Sequence, residues 1–190
     1  MTSTRNFLRV VVAPVAALSL TGVALGLPAP AASAAPVSHV IKVVKVNFKG
    51  TYTGTIAMLW SANTVRATSV KGTGTGTWLG KSTVAGSGTA STSSTCDPLW
   101  GTGYIVGSGS KLLLRVVQSS TTKACAAAES APTTVTVTGV AKVIGGLGKY
   151  KGASGTLKIS GTFQIKSNQA GSSETDTFKA SLSGVISIRK

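Results

Sequence analysis

Apolar and polar positions alternate with a period of two through most of the chain. Near the C-terminus, Phe178, Ala180, Leu182, Gly184, Ile186 and Ile188 share one face; Thr177, Lys179, Ser181, Ser183, Ser187 and Arg189 share the other, and Val185 is the one lapse. Leu157, Ile159, Gly161, Phe163 and Ile165 repeat the pattern against Thr156, Lys158, Ser160, Thr162, Gln164 and Lys166. Val135, Val137, Gly139, Ala141 and Val143 oppose Thr134, Thr136, Thr138 and Lys142, while Tyr52, Gly54, Ile56 and Met58 oppose Thr51, Thr53 and Thr55. Successive side chains of a strand point to opposite faces, so the pattern predicts antiparallel strands with one face buried and one wet.

The predicted segments are 40–48, 51–60, 64–78, 81–92, 103–107, 111–118, 133–144, 155–166 and 176–189. They amount to about eight full strands, with 103–107 the weakest. Lys49-Gly50, Leu79-Gly80 and the stretch Asn168 to Ser173 punctuate them as turns. Lys123 to Glu129 is the only helix-like patch, too short to shape the fold. Short connections favour sequential neighbours, and a meander of this strand count removes its exposed edges by closing into a barrel. The expected fold class is therefore all-β, a single closed antiparallel barrel.

Glycine sharpens that picture. Val70, Gly72, Gly74, Gly76 and Trp78 line up on the presumed inner face of one strand, with Val84, Gly86, Gly88 and Ala90 on the next. Interior glycine marks curvature, a bulge or close approach of another group. Either the glycines let a small barrel bend around Trp60, Trp78, Phe163 and Phe178, or they leave a cavity lined by those aromatics.

Residues 1–34 read as a secretory signal peptide. Arg5 and Arg9 form the positive region, an apolar stretch runs from Val10 to Leu27, and Ala32-Ser33-Ala34 offers a cleavage site before Ala35. The expected organisation is a signal peptide at 1–34, an arm at 35–39 and a barrel at 40–190, exported and carrying no membrane span after cleavage. Cys96 and Cys125 then fit a single disulfide in an oxidising compartment.

The charge is lopsided: 19 Lys plus Arg against four acids give +15. Losing Arg5 and Arg9 leaves 17 − 4 = +13. Spread over many strands, the lysines serve solubility and edge protection or concentrate anionic polymers. No recognition helix or aromatic-basic platform supports specific nucleic-acid binding. With one His, two Cys and four acids, catalytic and metal chemistry find few groups, and no catalytic residue, metal ligand or cofactor is assigned. Asp176, with inward parity, is the least poor candidate acid; His39 sits in the expected arm. Gly72-Thr73-Gly74-Thr75-Gly76 has neither the spacing nor the following helix of a dinucleotide fingerprint.

The most specific motif is Val143-Ile144-Gly145-Gly146-Leu147-Gly148-Lys149-Tyr150-Lys151-Gly152-Ala153-Ser154-Gly155. It resembles the strand-loop-strand signature of the allene oxide cyclase and dirigent barrel superfamily, with Leu147 where Thr is usual. The resemblance is tight over this loop, looser over 133–190, and elsewhere a Gly/Thr-rich strand pattern. It implies an eight-stranded antiparallel barrel, often dimeric or trimeric. It also implies cyclase chemistry on an apolar epoxide or radical-orienting chemistry that uses acids in the cavity, and this chain places hardly any acid on an inward face. Three functions remain in view. One is a secreted non-catalytic barrel binding an apolar small molecule or serving an envelope role, one a basic surface protein binding anionic polymers, and one a cyclase-like or dirigent-like enzyme.

Overall fold

The computed structural model describes residues 42–119 and 121–189. The signal peptide at 1–34, the arm at 35–39 with His39, and the first two residues of the 40–48 segment lie outside them. Nine strands follow in order: β1 Val43–Trp60, β2 Thr64–Gly76, β3 Gly80–Ser91, β4 Cys96–Gly107, β5 Ser110–Val116, β6 Lys123–Ala126, β7 Thr133–Leu147, β8 Ser154–Ile165 and β9 Ser173–Arg189. All pairings are antiparallel. Each long strand neighbours the next, β3 pairs β4, β5 pairs β7, and β9 returns to β1. The sheet is a closed eight-strand meander, with short β6 wedged between β4 and β7 as a ninth piece.

The inward rows follow the alternation. Val46, Phe48, Tyr52, Ile56, Met58 and Trp60 are buried on β1, and Phe178, Leu182, Ile186 and Ile188 on β9. In β2 a bulge between Ala67 and Val70 resets the parity, so Val65 and Ala67 join Val70 against the core.

Several boundaries differ from expectation. Segments 40–48 and 51–60 are one strand: Gly50 pairs with Gly76 on one side and Leu182 on the other, so Lys49-Gly50 lies within β1. The 103–107 segment is the second half of β4, which starts at Cys96. The helix-like patch is strand β6, held because Cys125 pairs with Cys96 on one side and Thr136 on the other. Strand β2 ends at Gly76, and Trp78 sits in the following turn with a φ of 61°.

Candidate functional site

The two ends of the barrel differ. At one end the interior is solid: Phe48, Leu79, Ile105, Leu112, Tyr150 and Ile186 are all buried. Tyr150 comes from the glycine-rich loop and acts as a plug. After β7, Gly148–Tyr150 form a single 3-10 turn, with Gly148 at φ +61° and Gly152 at φ +67°, a region that favours glycine. The Lys149 amide donates to Ser110 Oγ at 3.1 Å, and the Ala153 amide donates to the Tyr150 carbonyl at 3.0 Å. The Tyr150 ring meets Phe48 edge-on at 6.4 Å and Trp78 at 6.3 Å, and its hydroxyl donates to the Thr77 carbonyl. Burial pushes the Tyr150 phenol up to about 12, with nearby Tyr52 adding to the rise. Gly145, Gly146, Ala153 and Gly155 of the same motif flank this turn; a Cβ on Gly146 would sit 2.6 Å from the Tyr150 carbonyl oxygen. The motif's role here is to close the barrel.

The other half is hollow. A cavity of about 660 Å³ begins above Tyr52 and is walled by Ile56, Met58, Val84, Leu114, Val137 and Ile159, among other apolar side chains. On β3 and β4, Gly86 faces Gly103 and Gly88 faces Gly101. A Cβ on Gly86 would lie 2.7 Å from the Thr102 carbonyl oxygen, and one on Gly103 would lie 2.8 Å from that of Ala85. These glycines permit close strand approach and also present no side chain to the interior. Curvature and cavity thus have one cause.

Three of the four candidate aromatics meet in this cavity. Phe163 and Phe178 are directly opposed on β8 and β9, and both line it. Trp60 lines it near the rim, where its indole N–H donates to Glu174 Oε1 at 3.1 Å. The second Glu174 oxygen accepts the Lys166 and Ser167 amides, at 2.8 and 3.3 Å. Trp78 is not brought to them: it lies outside the lining, on the turn beside Tyr150, and is 40% exposed.

The lining also carries Ser and Thr, clustered in the run Ser91 to Thr95 where β3 ends, and several of its polar groups are engaged by hydrogen bonds. Tyr52 and Ser82 share a hydrogen bond of 3.1 Å at the cavity floor, and burial raises the Tyr52 phenol above its ordinary value while that bond partly offsets the rise. Asp97, at the start of β4, lines the cavity but is spent on the loop before it. Its Oδ1 accepts the Ser93 hydroxyl at 2.8 Å, and its Oδ2 accepts the Ser94 amide at 2.8 Å. Asn168 Nδ2 donates to the Glu129 carbonyl at 3.2 Å, joining two loops over the mouth. Asp176 is buried on the inward face of β9 but is not part of the lining. Its Oδ1 pairs with Lys166 Nζ at 2.8 Å, and its Oδ2 has no hydrogen-bond partner among the described residues. Among the described residues no group of three His, Cys, Asp or Glu could hold a metal ion.

The disulfide joins Cys96 and Cys125, register partners across β4 and β6, and fastens the mouth-side end of the wall. Alternation alone pointed to Tyr52 as an inward residue but not to its place on the floor. Asp97 and the mouth loops gave no sequence signal, since their positions come from local side-chain hydrogen bonds. No protein-family model, curated protein or solved structure matches the chain.

Proposed function

We propose that this protein is a secreted, non-catalytic β-barrel that binds an apolar small molecule in its half-hollow interior. The observation that carries the reading is the cavity itself. Its roughly 660 Å³ falls within the range that buries drug-sized ligands, and its walls are predominantly apolar. The polar groups around it favour a binding role: the Asp97 carboxylate is held by Ser93 and Ser94, and burial makes the Tyr52 phenol harder to ionise than an exposed one. Export draws support from the pattern of residues 1–34 and from the Cys96–Cys125 disulfide, a bond that persists in oxidising compartments. Kinship with the allene oxide cyclase and dirigent barrels draws support from the closed eight-strand meander and from the loop that plugs it. Titration with an uncharged naphthylamine fluorophore tests the binding role: saturable enhancement, with energy transfer from the tryptophans, is expected. A linear, non-saturating response would remove the reading.

A second reading, adhesion to anionic polymers, is favoured by the imbalance of 19 cations against four acids, two of which, Asp97 and Asp176, are buried. Retention on a sulfated resin that collapses between low and high salt is its expected signature.

A further inference from the structure

The outer wall of the barrel is not uniform. On β1, β2, β8 and β9 it is mostly Thr, Ser and Lys. Across β4, β5 and β7 it is largely apolar, and the strand register shows how the side chains assemble. Val106 faces Lys111, which faces Leu147. One step along, Tyr104 faces Leu113, which abuts Gly145 beside Ile144. The next step is Thr102, Arg115 and Lys142. Beyond it Trp100 on β4, Val140 on β7 and Val117, just past the end of β5, are each more than a third exposed. Leu147 is 61% exposed, Ile144 47% and Tyr104 38%. With strands about 4.8 Å apart and outward residues every ~6.7 Å, three strands and three paired rows make a patch of roughly 10 by 13 Å, which Trp100, Val117 and Val140 extend. Exposed apolar clusters of this kind mark interaction sites.

The charges within the patch say what fits it. Arg115 and Lys142 stand directly opposite each other, an unfavourable like-charge pair, and Lys111 Nζ lies 4.0 Å above the Tyr104 ring. No acid shares this face. The chain has four in all: Asp97 and Asp176 are buried, Glu174 is tied to Trp60, and Glu129 lies at the mouth. A second copy docking face to face would set these cations against their own counterparts, and it has no acidic surface to offer instead. A soluble polyanion would match the cations but leave Ile144, Leu147 and Val106 in water. An anionic lipid surface satisfies both: Trp and Tyr settle at the headgroup level, aliphatic side chains enter the acyl boundary, and long cations reach back to phosphates.

We propose that the β4–β5–β7 outer wall docks the barrel onto anionic lipid bilayers. This stands on the wall alone and does not depend on the cavity reading. The test is co-sedimentation of the full chain with vesicles of phosphatidylcholine alone or of an equal mixture of phosphatidylcholine and phosphatidylglycerol, with size and thermal melting recorded for every variant. Binding to the mixed vesicles only is expected. It should weaken by about tenfold in Ile144→Ser/Leu147→Ser and similarly in Arg115→Ser/Lys142→Ser. Lys45→Ser/Lys71→Ser removes the same charge from the polar walls and should leave most binding in place. Absence of binding to mixed vesicles overturns the proposal. So does binding that falls equally in both charge variants and ignores the apolar one, which would mark diffuse polyanion attraction. So, too, does a dimer dispersed by Ile144→Ser/Leu147→Ser without vesicle binding, which would make this wall a contact between copies.

Discussion

The hydroxyl of Tyr150 donates a hydrogen bond to the backbone carbonyl of Thr77, joining the β7–β8 loop to the β2–β3 turn across the closed end of the barrel. Removing it in Tyr150→Phe leaves that carbonyl without its donor and should cost about 1–3 kcal/mol, read from urea unfolding at neutral pH. A cost near zero would show that the ring alone makes the plug.

The same phenol ties stability to alkaline pH. Its pKa in the folded protein is about 12, above the ordinary value near 10, so the folded state holds the proton more tightly than the unfolded chain. That contribution is fully present below about pH 10 and is lost as pH rises toward 12. Comparing wild type with Tyr150→Phe across this window should therefore show a steeper loss in the wild type. Parallel curves would contradict the assignment.

Opening the disulfide tests the mouth-side wall. Cys96 and Cys125 are 29 residues apart, and loop-closure entropy assigns such a link about 3–4 kcal/mol. Cys96→Ala/Cys125→Ala should lose roughly this amount in urea unfolding while its far-ultraviolet spectrum stays that of a sheet. Complete unfolding would mean that β6 is needed for closure itself.

Lys166 and Asp176 couple the rim to the buried face of β9. Lys166→Gln leaves a buried carboxylate without its cation and should lower the melting temperature. Lys166→Gln/Asp176→Asn should recover part of the loss, because the uncompensated charge is gone. Additive losses in the double variant would show that the ion pair contributes nothing beyond its separate parts.

Alternation made the long strands readable wherever one face is buried and the other wet, as from Thr156 to Lys166 and from Thr177 to Arg189. It failed where another constraint governs the backbone. Gly50 reads as a turn residue, yet pairing on both sides keeps it in strand. The Ala-rich run after Lys123 reads as helix, yet disulfide and ladder hold it extended. Trp78 has the parity of an inward residue only if β2 continues past Gly76; the turn there carries it to the surface. For the site, Trp60, Phe163 and Phe178 and the inward glycines of β3 were readable from parity. The facing glycines Gly101 and Gly103 were not, because nothing local reveals which strand lies opposite β3 or in what register.

The cavity reading meets its most direct test at Ala67, a lining residue whose register partner in the same wall, Gly88, carries no side chain to compete for the space beside it. Titration of wild type and Ala67→Phe with the uncharged naphthylamine fluorophore, each checked for an unchanged melting temperature, is the decisive measurement. The expected result is saturable binding by wild type and affinity weaker by about tenfold in the filled variant, equivalent to about 1.4 kcal/mol. Equal affinities in the two, or no saturable binding in either, would contradict a ligand-binding interior.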